Sequence, residues 1–345
     1  MLRPSLALTM IVKDEARCLA RCLHSALPLV DEMVICDTGS TDETAEIARR
    51  FGATVVHLPW PKHFAQARNH GLDHARSDWN LIMDADEWVD SELDLRALRQ
   101  FIEEDAQRVG LVRVRSSFMI NNRTEFSDSW LPRLLPRHIR FQGRIHEQPV
   151  HQGLRCVRTD LTLHHDGYEP SRARSKAARN FELLNAELLS DPHNAYLHYQ
   201  LGVQHDGASE WEQASQAYLR ALSCGASRYP FAHSLSVRLL HALCRAQRHA
   251  EALAWAKEIE QQWPQSSDVF FAIGNLCLDL AITEPAHALD SWLPSAQAAW
   301  LRCLEIGEEV TEEDEHVVGR GSHLAAYNLG VVQRSLNSVL HHAPL

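Results

Sequence analysis

Four short apolar runs, each leading into a turn or a segment of helical spacing, dominate residues 6–87 and constrain the fold more than any other feature of this chain. Leu6 to Val12 reads as a strand, and after Lys13-Asp14-Glu15 the apolar spacing becomes helical. Glu32 to Cys36 reads as a second strand ending at Asp37-Thr38-Gly39-Ser40-Thr41-Asp42; a helix from Glu43 to Phe51 follows, with Ser40 and Thr41 as capping candidates. Thr54 to Leu58 predicts a third strand, Phe64 to Ala75 a third helix, and Trp79 to Met83 a fourth strand that runs into Asp84-Ala85-Asp86-Glu87. Such alternation predicts a mostly parallel sheet covered by helices. Ligands of open sheets bind beyond the carboxyl ends of the strands, so the three polar clusters are expected to converge.

From about Ser171 the composition turns to Ala, Leu, Glu and Gln, and apolar residues recur at three- and four-residue spacing as far as Leu340, which predicts an all-helical second half. Tyr199-Gln200-Leu201-Gly202, followed by Ala214, Ala217-Tyr218 and Ala221-Leu222, resembles the small-and-aromatic pattern of a tetratricopeptide repeat. Looser echoes occur at Glu251-Ala252-Leu253, Ile273-Gly274-Asn275 and Tyr327-Asn328-Leu329-Gly330. At 345 residues there is length for two cores, and the expected domains are 1–170 and 171–345.

A net charge of −11 argues against nucleic acid or another polyanion as partner, since phosphate binding needs a local cationic excess. There is no run of 18 apolar residues to make a transmembrane segment, and the N-terminus meets acids too early for a secretory signal. The expected location is cytoplasmic, with a peripheral position at the inner face of the membrane as a variant. The eight cysteines form no CxxC pair and read as reduced core thiols.

Asp84 and Asp86 bracket one small residue at a strand end, where both carboxylates reach one hard cation. The bland alternative is a solvated acidic loop. Asp37 with Ser40, Arg68-Asn69, and the later His146, His164 and His165 favour a site.

The runs TMIVKDE, CDTGSTDET and FAQARNHGLDHARSDWNLIMDADE resemble the family 2 glycosyltransferases of the GT-A fold, over roughly residues 5–168. The branch most resembled includes lipopolysaccharide-core glucosyltransferases and peptide S-glycosyltransferases, which often carry a helical-repeat tail. The implied architecture is an α/β, Rossmann-like GT-A nucleotide-diphospho-sugar transferase domain followed by an all-α, TPR-like repeat domain. By the same resemblance Thr9, Met10, Ile11, Val12 and Glu15 line the nucleoside pocket, and Asp37, with Ser40 beside it, faces the base or ribose. Arg68 approaches the base or diphosphate. Asp86 holds a divalent metal, Mn²⁺ or Mg²⁺, with Asp84 assisting near the ribose. His165 completes the metal shell, with Asp84, His164 and His146 as alternative ligands, and His164-His165-Asp166-Gly167-Tyr168 closes the domain. Thr38 departs from relatives that carry two adjacent acids here, which weakens the inference of uracil recognition.

Glu147 in Arg144-Ile145-His146-Glu147 is the candidate general base, the other reading being a solvated carboxylate on a surface hairpin. Arg133 either clamps a diphosphate bidentately or forms a surface salt bridge. Trp60, Trp79 and Trp88 read as core rather than as sugar platforms, and Tyr199, Tyr218 and Tyr327 as packing between repeats. The resemblance implies inverting transfer of a hexose from a nucleotide diphosphate sugar, UDP-hexose favoured, to a glycan or peptide/protein acceptor, and the repeats are a place for a protein partner. The alternatives are an inert scaffold of the same fold whose repeats bind a protein, and a nucleotidyltransferase, which would need a basic or glycine-rich phosphate loop where the chain has Lys13-Asp14-Glu15.

Overall fold

The computed structural model describes residues 3–120, 123–151, 153–166, 170–308 and 315–342. Two compact units emerge, Met1–Thr124 with Asp128–Ser190, and Asp191–Leu345 with Glu125–Ser127.

In the first unit, β1 (Leu6–Val12) is buried along nearly its whole length. Covered on both faces, it reads as a continuous apolar run. It pairs in parallel with β2 (Glu32–Asp37) and, on its other edge, with β4 (Trp79–Ile82); β2 pairs in parallel with β3 (Thr54–His57). The crossovers contain α1 (Leu19–Ala26), α2 (Thr44–Arg50) and α3 (Phe64–His74). Leu6, Leu8, Met10, Leu19, Leu23, Ile35 and Trp79 are fully buried, and each such side chain contributes about 1.5–3 kcal/mol of burial.

Beyond β4 the sheet departs from the mostly parallel expectation. β5 (Glu87–Val89), α4 (Leu95–Glu104), β6 (Arg108–Ile120) and β7 (Arg123–Pro136) follow in the chain. A two-stranded hairpin comes next, of β8 (Phe141–Gln142) and β9 (Gln148–Pro149), and then β10 (Arg155–His165). The strand order is β3-β2-β1-β4-β7-β6-β10-β5, with β4–β7 and β10–β5 antiparallel and β6–β10 parallel. Mixed pairing follows because β4, β5, β6 and β7 succeed one another with a single helix among them, too few crossovers for parallel neighbours. Between the pairings Arg158↔Leu111 and Thr162↔Arg113, β10 advances four residues while β6 advances two, so β10 bulges.

α5 (Pro170–Ser190) belongs to this first unit, so the compact units part after Ser190, later than the change of composition suggests. Ion pairs explain the shift: Lys62 reaches Glu182 at 3.0 Å and Arg144 reaches Glu187 at 3.3 Å.

The second unit contains α6 (Ala195–Gly207), α7 (Trp211–Ser223), α8 (Ala232–Arg245), α9 (His249–Gln262), α10 (Ser267–Thr283), α11 (Leu293–Ile306) and α12 (His323–His342). Asn194 caps α6 by accepting from Tyr196 and Leu197 N–H, both at 3.1 Å, and Ser266 caps α10. The one departure from the all-helical expectation among the described residues is a three-residue strand, β11 (Glu315–Val317). Gly202 and Gly274 are close-approach positions: a Cβ on the first would fall on the Tyr218 ring, and on the second on the Trp300 indole. Tyr199 and Tyr218 are buried as expected, whereas Tyr327 is exposed. All eight cysteines are free; Cys156 is exposed and Cys224 and Cys244 are half-buried, and the other five are core thiols. Among the described residues no single helix is long and apolar enough to cross a membrane, though α10 and the bent segment after it pass that test together.

Candidate active site

A cavity of about 590 Å³ lies in the first unit, lined by residues that follow β1, β2 and β4 in sequence, as well as by α3, the β8–β9 hairpin, β10 and α5. Its first wall is laced by side-chain hydrogen bonds between two loops. Asp14 sits at φ +54, a left-handed conformation uncommon for a non-glycine residue. Its N–H donates to Ser40 Oγ at 3.0 Å, and its Oδ1 accepts from Thr41 N–H at 2.7 Å. Ser40 and Thr41 therefore tie the loops together instead of capping α2, whose N-cap is Glu43 without a side-chain bond.

Ile11, Val12 and Glu15 line the cavity with Thr38, but Thr9 and Met10 are buried within β1. Asp37 does not line it. Its Oδ1 accepts from the N–H groups of Gly39 at 3.3 Å and Ser40 at 2.9 Å, and its Oδ2 lies 3.2 Å from His57 Nδ1, so the carboxylate closes its own turn.

The floor is a chain of ion pairs. Arg68, on α3, donates through Nε to Glu147 and through Nη2 to Asp84 Oδ1 at 2.9 Å. Arg133, on β7, donates through Nη2 to Asp84 Oδ2 at 3.0 Å and to Glu87 Oε1 at 3.1 Å. Both oxygens of Asp84 are thus taken by guanidinium groups, which leaves it poorly placed as the alternative metal ligand. Arg133 makes the ion-pair alternative rather than a free clamp, and makes it buried rather than at the surface. Glu147, at the end of the hairpin, is 9% exposed and ion-paired, not solvated. Burial opposes charge on Asp84, yet Arg133 and Arg68 hold its pKa far below the ordinary carboxylate range. Glu87 goes the other way: burial, with the neighbouring Asp84 charge, pushes it up to about 7 against the pull of Arg133. Among the described residues, Arg68 Nη1 is a buried donor without a partner.

Asp86 faces the same cavity with His165 Nε2 3.6 Å from its Oδ2, while Ser116 Oγ holds His165 Nδ1 at 3.1 Å. Burial works against charge on His165, but Asp86, and behind it Glu87 and Asp84, hold its pKa above the ordinary value. His164 lies on the opposite face of β10, with Nε2 2.8 Å from Asp90 and its ring stacked on Trp88, which removes it as an alternative ligand. His146 lines the cavity at φ +50 with a buried, unpartnered Nε2; burial brings its pKa down to about 4. Gly167 and Tyr168 lie outside the described residues. Among the described residues no three His, Cys, Asp or Glu side chains are grouped as a metal cluster. The Asp86 carboxylate suits a hard divalent cation, and His165 beside it would add a nitrogen ligand in its neutral form.

Trp79 is core and Trp88 lies under Arg21, but Trp60 lines the cavity, edge-on to Phe64 at 4.8 Å, contrary to the core reading. The sequence reading missed Glu87, Arg179 and Asn180. Glu87 was visible as the acid after the Asp-x-Asp pair; the other two carry no local motif.

A mixed sheet that is parallel from β3 through β4 and antiparallel at β4–β7, followed by a helical unit, is the architecture of the GT-A class of glycosyltransferases with a helical-repeat region. Residues 8–163 match the family described as glycosyl transferase family 2, and the first unit carries a family 2 glycosyltransferase domain. The chain is 33% identical over 219 residues to a TPR repeat-containing protein of Synechococcus elongatus, covering 57% of this chain and 51% of that one. It is 25% identical over 203 residues to the SPbeta prophage-derived glycosyltransferase SunS of Bacillus subtilis, covering 55% and 47%. The chain thus spans about half the length of these curated relatives. A crystal structure of glucosyl-3-phosphoglycerate synthase from Mycobacterium tuberculosis with Mn²⁺ and UDP-glucose aligns over 33% of this chain and 43% of that one, at 21% identity and a TM-score of 0.27.

Proposed function

We propose that the chain transfers a hexose from a nucleotide diphosphate sugar, UDP-hexose favoured, to a glycan or a peptide/protein acceptor, in one inverting displacement. The observation that carries this reading is the pair Asp86–His165 facing the same cavity as the Arg68-bound carboxylate of Glu147. Ile11, Val12, Glu15 and Thr38 receive the nucleoside. Asp86 and His165 are the residues that hold Mn²⁺ or Mg²⁺, which when bound supplies positive charge to the diphosphate leaving group. Arg68 orients Glu147 through Nε and Asp84 through Nη2. Glu147 accepts the acceptor's proton at its carboxylate as the new bond forms. Thr9, Met10, Asp37 and Ser40 act behind the wall rather than on the ligand, and Asp84 and Arg133 fix the turn that presents Asp86. The α/β core of the catalytic part ends at about residue 170, α5 completes its cavity, and the repeats after Ser190 engage the acceptor or a protein partner on the cytoplasmic side.

The test is release of nucleotide diphosphate from a panel of UDP-, GDP- and dTDP-sugars with and without Mn²⁺. Metal-dependent release from one donor, abolished in Asp86→Ala with unchanged thermal unfolding, is the expected result. No binding of any nucleotide with or without metal sinks the reading in favour of an inert scaffold.

A further inference from the structure

Besides Arg68, the cavity lining carries two cationic side chains that the transfer reading leaves unused, Lys13 and Arg179. Arg179, on α5, lies with its Cζ 5.1 Å from the centroid of Phe64, and Asn180 Oδ1 accepts from its Nε at 3.3 Å and its Nη2 at 3.1 Å. Arg68 and Arg133 each face two carboxylates, whereas no carboxylate among the described residues pairs with Arg179. A guanidinium partly withdrawn from water without a counter-charge is destabilising unless an anion joins it, and burial alone lowers the Arg179 pKa.

Its surroundings point the same way. Arg179 stands at the Glu147 end of the cavity, close enough for its charge to act on His146. The same lining carries the carboxylates of Asp14, Glu15, Asp84, Asp86 and Glu147, of which Asp84 and Glu147 pair with Arg68, so among the described residues the guanidinium of Arg179 is the one in this lining that no carboxylate pairs with. Trp60 and Phe64 add an aromatic face beside it. The guanidinium is held by Asn180 Oδ1 and the Phe64 ring, and α5 itself is joined to Arg144 through Glu187 two turns further along.

We propose that Arg179, laid over Phe64 at the Glu147 end of the cavity, docks a carboxylate or phosphate carried by the acceptor and so selects an anionic acceptor. This rests on the glycosyl-transfer reading above.

The experiment uses the full chain saturated with UDP and Mn²⁺, so that the diphosphate position is filled, and titrates inorganic phosphate, glucuronate and, as neutral control, glucose by calorimetry. Wild type is expected to bind phosphate or glucuronate at least tenfold more tightly than Arg179→Gln, with UDP affinity unchanged within twofold. Arg179→Lys is expected to recover part of the anion binding. Preference for phosphate identifies a phosphorylated acceptor, and preference for glucuronate a carboxylated one. Equal anion binding by wild type and Arg179→Gln, or anion binding by neither while UDP binds, overturns the proposal. A tenfold loss of UDP affinity in Arg179→Gln also overturns it, by assigning the guanidinium to the donor. Failure of wild type to bind UDP at all defeats the transfer reading itself and this inference with it, an outcome distinct from the others. Matching thermal unfolding of the variants shows that the losses are local.

Discussion

Replacing Arg68 by Met tests the ion-pair floor of the cavity directly. Arg68 is 10% exposed and joins Glu147, itself 9% exposed, to Asp84. Removing one partner of a buried pair costs about 3–5 kcal/mol, because the remaining charge is left without compensation. Asp84 keeps Arg133 at 3.0 Å, so the loss falls on Glu147 and belongs at the lower end, about 3 kcal/mol. For a unit of this size about 2–4 °C accompanies each kcal/mol, so the first unit is expected to melt about 6–12 °C lower. Urea unfolding of Arg68→Met, Glu147→Gln and the double variant closes the cycle. The double variant is expected to recover about 1–2 kcal/mol, since a neutral amide tolerates the loss of the guanidinium better than a carboxylate does. A loss under about 1 kcal/mol for Arg68→Met, or no recovery in the double variant, would show that water rather than Arg68 compensates Glu147 and refute the reasoning.

Glu147→Gln is expected to slow sugar transfer at least about a hundredfold with donor affinity retained; full activity removes Glu147 as base. Gly202→Ala places a methyl group on the Tyr218 ring and is expected to destabilise the helical unit by about 1–3 kcal/mol in urea; an unchanged midpoint would mean that α6 and α7 separate freely. His146 has its pKa brought from 6.5 down to about 4 by burial, so the stability it contributes is present above 6.5 and is lost as pH falls through about 4. That window amounts to about 3 kcal/mol. Substituting His146 by Gln should flatten the stability profile between pH 7 and pH 4 by a comparable amount, and an unaltered slope counts against a buried neutral imidazole.

The first four strands and their helices were legible because each apolar run is short and bounded by turn residues; β1, β2 and β4 are also buried nearly throughout, whereas β3 is a partly exposed edge strand. β6 and β7 left weaker traces: Arg113 and Arg115 interrupt the apolar pattern of β6, and only the structure shows them bonded to Thr162 and Asp128. The acids at the strand ends were readable as a cluster. What each carboxylate touches was not, because Asp37 turns inward on its own loop while Asp84 is gripped from both sides. Arg179 escaped notice because α5 reads as the first helix of the repeats, and the partners that hold that helix lie far away in sequence.

The bulge in β10 has a consequence for how this segment changes length. His164 and His165 differ only in which face of the strand they occupy, and the four-against-two step between Arg158 and Thr162 preserves that parity. A single-residue change that the bulge did not take up would exchange the two rings, turning His164 toward Asp86 and His165 toward Asp90, so the bulge shields two nearly identical neighbours from drift in length upstream of them.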